Sequence, residues 1–235
     1  MFDTIILLTG PAEQSALSAL LKSHNPQLTV HVVNNLPTLE ALERRVLRRA
    51  RLVAFLTPLI VPQRILEQLC FGAYNFHPGP PGYPGWVPSH FAIYDEAKTF
   101  GATAHIMTAQ VDAGPIIGIE LFDIPREIGV LGLERLAFTA AAKLFWALAK
   151  ALATQEQSLG QLPIHWCGRK STRRMYEAMC DIPLDITNEE LNRRVKAFGV
   201  GHFGTYPTIT VNGYRFRYVK SEDEKVASPT ITPAV

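Results

Sequence analysis

The chain has 235 residues, 47% hydrophobic and 19% charged, with a formal net charge of +2. That length suits one α/β domain with a full core and a small appendage, and the composition excludes a disordered or collagen-like chain. The small net charge gives no strong electrostatic pull toward nucleic acid. In chain order, residues 4–9 read as a buried strand and 13–22 as a helix. A short strand over 29–33, an amphipathic helix over 39–50 and a third strand over 52–56 follow. Residues 63–69 read as a helix and 73–76 as a fourth strand. This alternation predicts an α/β fold, a Rossmann-like, mostly parallel sheet with helices on both faces. Ligands of such sheets bind outside the carboxyl ends of the strands.

A Pro/Gly-dense stretch over 78–88 leads to a helix over 89–97, then strands over 102–107 and 116–124. A long helix over 133–153 carries Leu136, Ala140, Leu144, Ala147, Leu148, Ala151 and Leu152 on one stripe. Residues 160–163 read as a boundary, which divides the chain into 1–160, a catalytic domain, and 161–235, a linker with a small α+β appendage and a loose tail after Ser221. In the appendage, Thr187 and Glu190 make a capping box for a helix ending near Lys196. Asn212-Gly213 joins strands over 208–211 and 214–219 in a hairpin. Its strands offer an edge for pairing, so a homodimer is one expectation.

Asp3 stands where a secretory signal needs a base, and Glu134, Arg135, Lys143 and Lys150 interrupt the longest apolar run, so no membrane span is expected. The three cysteines contain no CxxC pair, which points to a reduced, cytoplasmic location. Neither a GxGxxG nor a Walker-type glycine loop occurs, against a nicotinamide or ATP enzyme. The seven histidines show no zinc-type spacing, so no metal is expected.

The chemistry concentrates at Tyr74-Asn75-Phe76-His77-Pro78-Gly79. Asn75 and His77 are two apart at a strand end, so both side chains point the same way. Gln110-Val111-Asp112-Ala113-Gly114-Pro115 presents one acid at a tight turn. A carboxylate beside His77 would orient the imidazole and favour its charged form. Together the three have the parts for attack on a carbonyl, with donors for an oxyanion and a His–Asp pair for the proton.

Asn75-Phe76-His77-Pro78-Gly79, Gly101-Ala102-Thr103-Ala104-His105 and Asp112-Ala113-Gly114-Pro115-Ile116, in that order, resemble the core of the 10-formyltetrahydrofolate-dependent formyltransferases. That family includes methionyl-tRNA formyltransferase, glycinamide ribonucleotide formyltransferase and the sugar N-formyltransferases. Leu59-Ile60-Val61-Pro62 resembles its folate-lining stretch, and the similarity is clear over roughly residues 52–125. The resemblance implies transfer of a formyl group from 10-formyltetrahydrofolate to a primary amine. Asn75 and protonated His77 would hold the oxyanion, and Asp112 would support His77 and relay the proton. The pterin would be held by backbone groups of Leu59, Ile60 and Val61 and of Thr108, Ala109, Gln110, Val111 and Asp112. His105 would support the site from mid-strand.

The chain departs from the family at Gly79-Pro80-Pro81-Gly82-Tyr83, a loop shorter than usual on the acceptor side, and its appendage is too small for a nucleic-acid-binding barrel. Both lean toward a small-molecule amine, for example an amino sugar linked to a nucleotide. Tyr83 and Trp86 could stack on an acceptor ring, and Arg169, with Lys170, Arg173 and Arg174, could hold its phosphates. Arg44, Arg45, Arg48, Arg49 and Arg51 read as a solvated basic helix face. Methionyl-tRNA formylation and 10-formyltetrahydrofolate hydrolysis are the rival activities. A non-catalytic folate-binding module is the rival of another class.

Overall fold

A computed structural model describes residues 2–201 and 204–219. The main domain runs β1 (Thr4–Leu8), α1 (Pro11–His24), β2 (Thr29–Val33), α2 (Leu36–Glu40), α3 (Arg44–Arg49), β3 (Ala50–Phe55), α4 (Gln63–Leu66), β4 (Ala73–His77), α5 (Pro88–Tyr94), β5 (Thr99–Ile106), β6 (Ile116–Asp123) and α6 (Val130–Thr154). The appendage adds α7 (Arg173–Cys180), β7 (Asp181–Ile182), α8 (Asn188–Phe198), β8 (Thr208–Val211) and β9 (Tyr214–Arg217). The tail expected after Ser221 lies outside the described residues.

Every residue of β1 is buried, and alternate side chains along a strand leave by opposite faces. Ile5 and Leu7 join one core cluster and Ile6 and Leu8 another. A strand apolar on both sides needs a layer on each. Leu17 and Leu21 of α1 and the buried stripe of α6 cover one face. Leu39, Leu47 and Ile65 of the short helices cover the other. The sheet order is β2-β1-β3-β4-β5-β6, with β1 to β4 parallel and β5 and β6 antiparallel. The expected α/β sheet with helices on both faces is therefore present.

By length and composition α6 could cross a membrane, but it lies on the sheet with Leu133, Ala137, Ala141, Phe145 and Leu152 buried. The single helix expected over 39–50 is two, with chain turns at Ala41 and Leu42 between α2 and α3. Arg51 leaves the expected basic face altogether. It is the second residue of the wholly buried β3, fully covered, and donates to the carbonyls of Phe71, Ala151, Leu152, Gln155 and Gln157. Its guanidinium lies over the rings of Phe2 and Tyr74. A cation at the carboxyl end of α6 complements the free carbonyls and the dipole there.

In the appendage, Thr187 caps α8 by accepting from the Glu190 amide, as expected. The Glu190 carboxylate takes Tyr94 and Arg194. The hairpin closes at Asn212-Gly213 and pairs with β7, leaving Tyr214 and Phe216 exposed on its outer strand. Residues 173–180 form α7, capped by Thr172. Arg173 pairs with Glu177 one turn on. Tyr176, Phe198 and the buried His90 join α7, α8 and α5 in a third cluster against Val130, Leu133 and Ala137.

Candidate active site

Period-two alternation decides where the site lies. Tyr74 and Phe76 of β4, and Ala102 and Ala104 of β5, belong to the cluster under α1 and α6. Asn75, His77, Thr103 and His105 therefore face the opposite side. The antiparallel register sets Asn75 opposite His105 and His77 opposite Thr103. Thr103 donates to the Gly79 carbonyl at 2.7 Å and so fixes the chain where it leaves β4.

The loop after β5 folds over this face and brings Asp112 between the two imidazoles. Its backbone is left-handed, with φ of 45°, a conformation that Asp and Asn tolerate better than most residues. Gly114, next but one, is packed so that a Cβ would run into the Ile106 carbonyl. Asp112 Oδ2 lies 3.3 Å from His77 Nδ1 and Oδ1 lies 3.2 Å from His105 Nε2. The Gly85 amide donates to Oδ2 at 2.8 Å. The side chains of His77, His105 and Asp112 are 5%, 3% and 3% exposed, while Asn75 is partly open.

A carbonyl partner fixes the proton of His77. His77 donates from Nε2 to the Tyr83 carbonyl at 2.9 Å, which leaves Nδ1 toward Asp112. His105 Nδ1 lies 2.9 Å from the Ile106 carbonyl, and its Nε2 lies 3.1 Å from the Asn75 amide nitrogen and 3.2 Å from Asp112 Oδ1. Burial pulls the His77 imidazolium below its ordinary value, with His105 adding to the effect; Asp112 and the Tyr83 carbonyl act the other way. Burial also raises the Asp112 carboxyl. The His105 hydrogen bond, the His77 charge and the Gly85 amide outweigh it and hold the carboxyl below the ordinary carboxylate range. Burial favours a neutral His77 ring, and the adjacent carboxylate favours the charged one. Such a pair can accept a proton between Nδ1 and Oδ2, and an amide beside it can hold an oxygen that gains charge.

The other expected site residues divide. Leu59, Ile60 and Val61 form the loop after β3, and Thr108 to Val111 the exposed approach to Asp112; Ile60 is 68% and Val111 44% exposed. The Tyr83 ring turns inward onto Phe100, and burial with its Asp95 partner pushes the phenol up to about 12, so it is the carbonyl of Tyr83 that serves the site. The Trp86 ring packs edge-on against Tyr176 of α7, under the appendage. Arg169 is exposed on the linker that crosses the site.

That linker carries the residue the sequence reading missed. Trp166 lies edge-on to His77 and His105, with centroids 5.6 and 5.1 Å away, and donates from Nε1 to the Gly114 carbonyl at 2.8 Å. With Asp112, Pro115, Ile164 and Lys170 it lines a cleft of about 430 Å³. The linker is tied to the loop after β4 by Cys167 to Pro81 and Ser171 to Pro84, both at 2.9 Å. A left-handed Gly85, with φ of 98°, bridges Ser171 so closely that any Cβ would meet its carbonyl.

No family model matches the chain. Over 95 residues, 40% of its length, it is 34% identical to the methionyl-tRNA formyltransferase of Rickettsia bellii. The match spans 30% of that relative, so the chain corresponds to under a third of it. The fold comparison reaches further. An X-ray structure of a sugar N-formyltransferase from a Shewanella species superposes with a TM-score of 0.74 at 17% identity, over 93% of this chain and 96% of that one. The chain has the formyltransferase fold. Its α/β sheet and small three-stranded appendage are both part of that likeness, and its sequence relatives are formyltransferase enzymes. The N-formyltransferase of Helicobacter canadensis, described in complex with folinic acid and dTDP-3-aminofucose, matches at TM-score 0.64 and 18% identity, over 91% of this chain and 85% of that one.

Proposed function

We propose that the protein transfers a formyl group from 10-formyltetrahydrofolate to a primary amine of a small molecule, such as a nucleotide-linked amino sugar. The observation that carries this reading is the buried His77–Asp112–His105 cluster, with Asn75 at its open side, on a formyltransferase fold. The donor supplies an activated formyl carbon. Ile60 and Val111 leave apolar side chains in solvent on the loops expected to hold its flat heterocycle, which would cover them. Asn75 would hold the formyl oxygen as it gains charge. The His77–Asp112 pair would take the proton that the attacking amine loses and return it to the departing nitrogen. An acceptor bound in the cleft would meet Lys170, with Arg169 beside it, as partners for a phosphate.

The acceptor class draws support from the Helicobacter protein, which holds a nucleotide amino sugar together with folinic acid. Methionyl-tRNA is the second reading, because the sequence relatives carry that name. A methionyl-tRNA formyltransferase from Clostridium thermocellum also superposes over 92% of its chain, at a TM-score of 0.62 against 0.74 for the Shewanella sugar enzyme. The preference for a small acceptor therefore rests on the short loop over 79–83 and the Helicobacter complex. We place the reaction in the cytoplasm, where the free Cys70, Cys167 and Cys180 would stay reduced.

Calorimetric titration with 5-formyltetrahydrofolate tests the donor half. Saturable one-site binding is expected, followed by turnover with nucleotide amino sugars. No binding would overturn the folate reading. Turnover only with methionyl-tRNA, weakening steeply with salt, would move the acceptor to RNA.

A further inference from the structure

The linker over 161–171 does more than join the appendage to the main domain. Leu162 donates to the Ile116 carbonyl at 2.8 Å, at the start of β6, and Cys167 and Ser171 bind the loop after β4. Gly168, left-handed at φ of 76°, lies so close to the Gly82 carbonyl that no side chain would fit. Between these anchor points the chain has little freedom, and Trp166 is set over the site. Its indole is bonded to the Asp112 turn through Gly114 and abuts both imidazoles.

A 430 Å³ cleft opens beside it, and Asp112 lies on the cleft wall, yet the Asp112 side chain is only 3% exposed. Water entering there would compete with the acceptor. In the proposed reaction a bond forms between the amine nitrogen and the formyl carbon, the bond from that carbon to the folate nitrogen breaks, and the amine proton ends on the folate nitrogen. Water in the amine's place forms a bond to the same carbon and breaks the same bond, so the products are formate and tetrahydrofolate. The groups that accept the proton would serve both. Selectivity for the amine therefore needs a dry site until the acceptor arrives.

We propose that Trp166 is a positioning residue that shuts water out of the His77–Asp112 pair, and so directs the formyl group to an amine and away from water. The inference rests on the formyl-transfer reading above. Its indole supplies an apolar wall, and its N–H ties that wall to the turn that carries Asp112. Asn75 remains the partly open member, which leaves an approach for the formyl carbon.

The test compares Trp166→Ala, Trp166→Phe and wild type by formate release from 10-formyltetrahydrofolate without acceptor, by transfer to an amine, and by NMR titration of the His77 ring without added ligand. Trp146→Ala, on the exposed side of α6, is the control. The His77 ring is faced by Asp112, His105, the Tyr83 carbonyl and Trp166, and the cleft beside them holds His165 and Lys170. Opening the site to water removes part of the burial that lowers the ring, so its midpoint should rise in Trp166→Ala. Acceptor-independent formate release should rise about tenfold relative to transfer. Trp166→Phe should return most of the dryness. If wild type transfers formyl and Trp166→Ala changes neither the ratio nor the His77 midpoint, the inference fails alone. A parallel fall in hydrolysis and transfer also overturns it, as does a Phe variant no drier than Ala. A wild type that neither transfers nor hydrolyses the donor overturns the formyl-transfer reading, and this inference with it.

Discussion

Asp112→Asn separates chemistry from architecture at one atom. The left-handed backbone at φ of 45° suits Asn as well as Asp, so the substitution adds no backbone strain, whereas a β-branched residue would cost about 1–2 kcal/mol there. The amide oxygen can still accept from Gly85, which keeps the turn in place. What is lost is the charge. A carboxylate 3.3 Å from an imidazolium attracts it by about 5 kcal/mol at an effective dielectric of 20. Losing a general acid–base group costs about 10²–10⁴ in rate, or about 3–5.5 kcal/mol of barrier, the same size. The fold holds this carboxyl below its ordinary range, so the charge stabilises the folded chain at neutral pH and removing it should lower stability. Turnover with the acceptor should fall by that factor in the folded variant, and the melting temperature should fall with it. A variant with turnover within tenfold of wild type would refute the role of the carboxylate. One that melts above wild type would refute the stabilising role of its charge.

Asn75→Ala should lower turnover by about 10²–10³ with folate affinity roughly kept, as for loss of one oxyanion donor; unchanged turnover in the purified variant would remove Asn75 from the chemistry. Arg51→Met should destabilise by about 3–5 kcal/mol, because buried carbonyls at the end of α6 lose their donor. For a chain of this size that is about 10 °C in melting temperature, and a loss under about 1 kcal/mol would contradict it. The buried His77 ring lies below its ordinary 6.5, so below that pH the unfolded chain binds a proton that the folded ring refuses, and stability falls. Asp112, lowered from 3.8, adds its own loss only at more acid pH. Melting temperature should thus fall more steeply from pH 7 to 5 in wild type than in His77→Asn, and parallel curves would refute this assignment.

Much of this architecture is legible in the chain because alternation has strict consequences. The two-residue spacing of Asn75 and His77 sends both to the face opposite Tyr74 and Phe76, whatever covers either face. Thr187 and Asn212-Gly213 act locally and do what their chemistry requires. The misreadings arise where a distant partner decides. Tyr83 and Trp86 are aromatic residues beside a glycine loop, but Phe100 and Tyr176 claim their rings. Arg51 follows an arginine-rich helix, and only the carbonyls about a hundred positions onward explain why it is buried. No Gly or Pro marks the turn between α2 and α3. Trp166 lies over fifty residues beyond Asp112, in a segment whose composition reads as linker.

Gly85 holds two parts of the chain together at one peptide unit. Its amide binds the carboxylate of Asp112, and its backbone bridges Ser171, the residue just before α7 and its capping Thr172. A change at the root of the appendage is therefore felt one residue away from a group at the centre of the site. Shuffling the appendage among relatives, or shortening the chain before Ser171, would disturb the catalytic pocket even though no side chain of α7, α8 or the hairpin enters it. The two parts have to be inherited as a unit, and an exchange that succeeds would have to carry the segment from Pro81 to Gly85 together with the linker from Cys167 to Ser171.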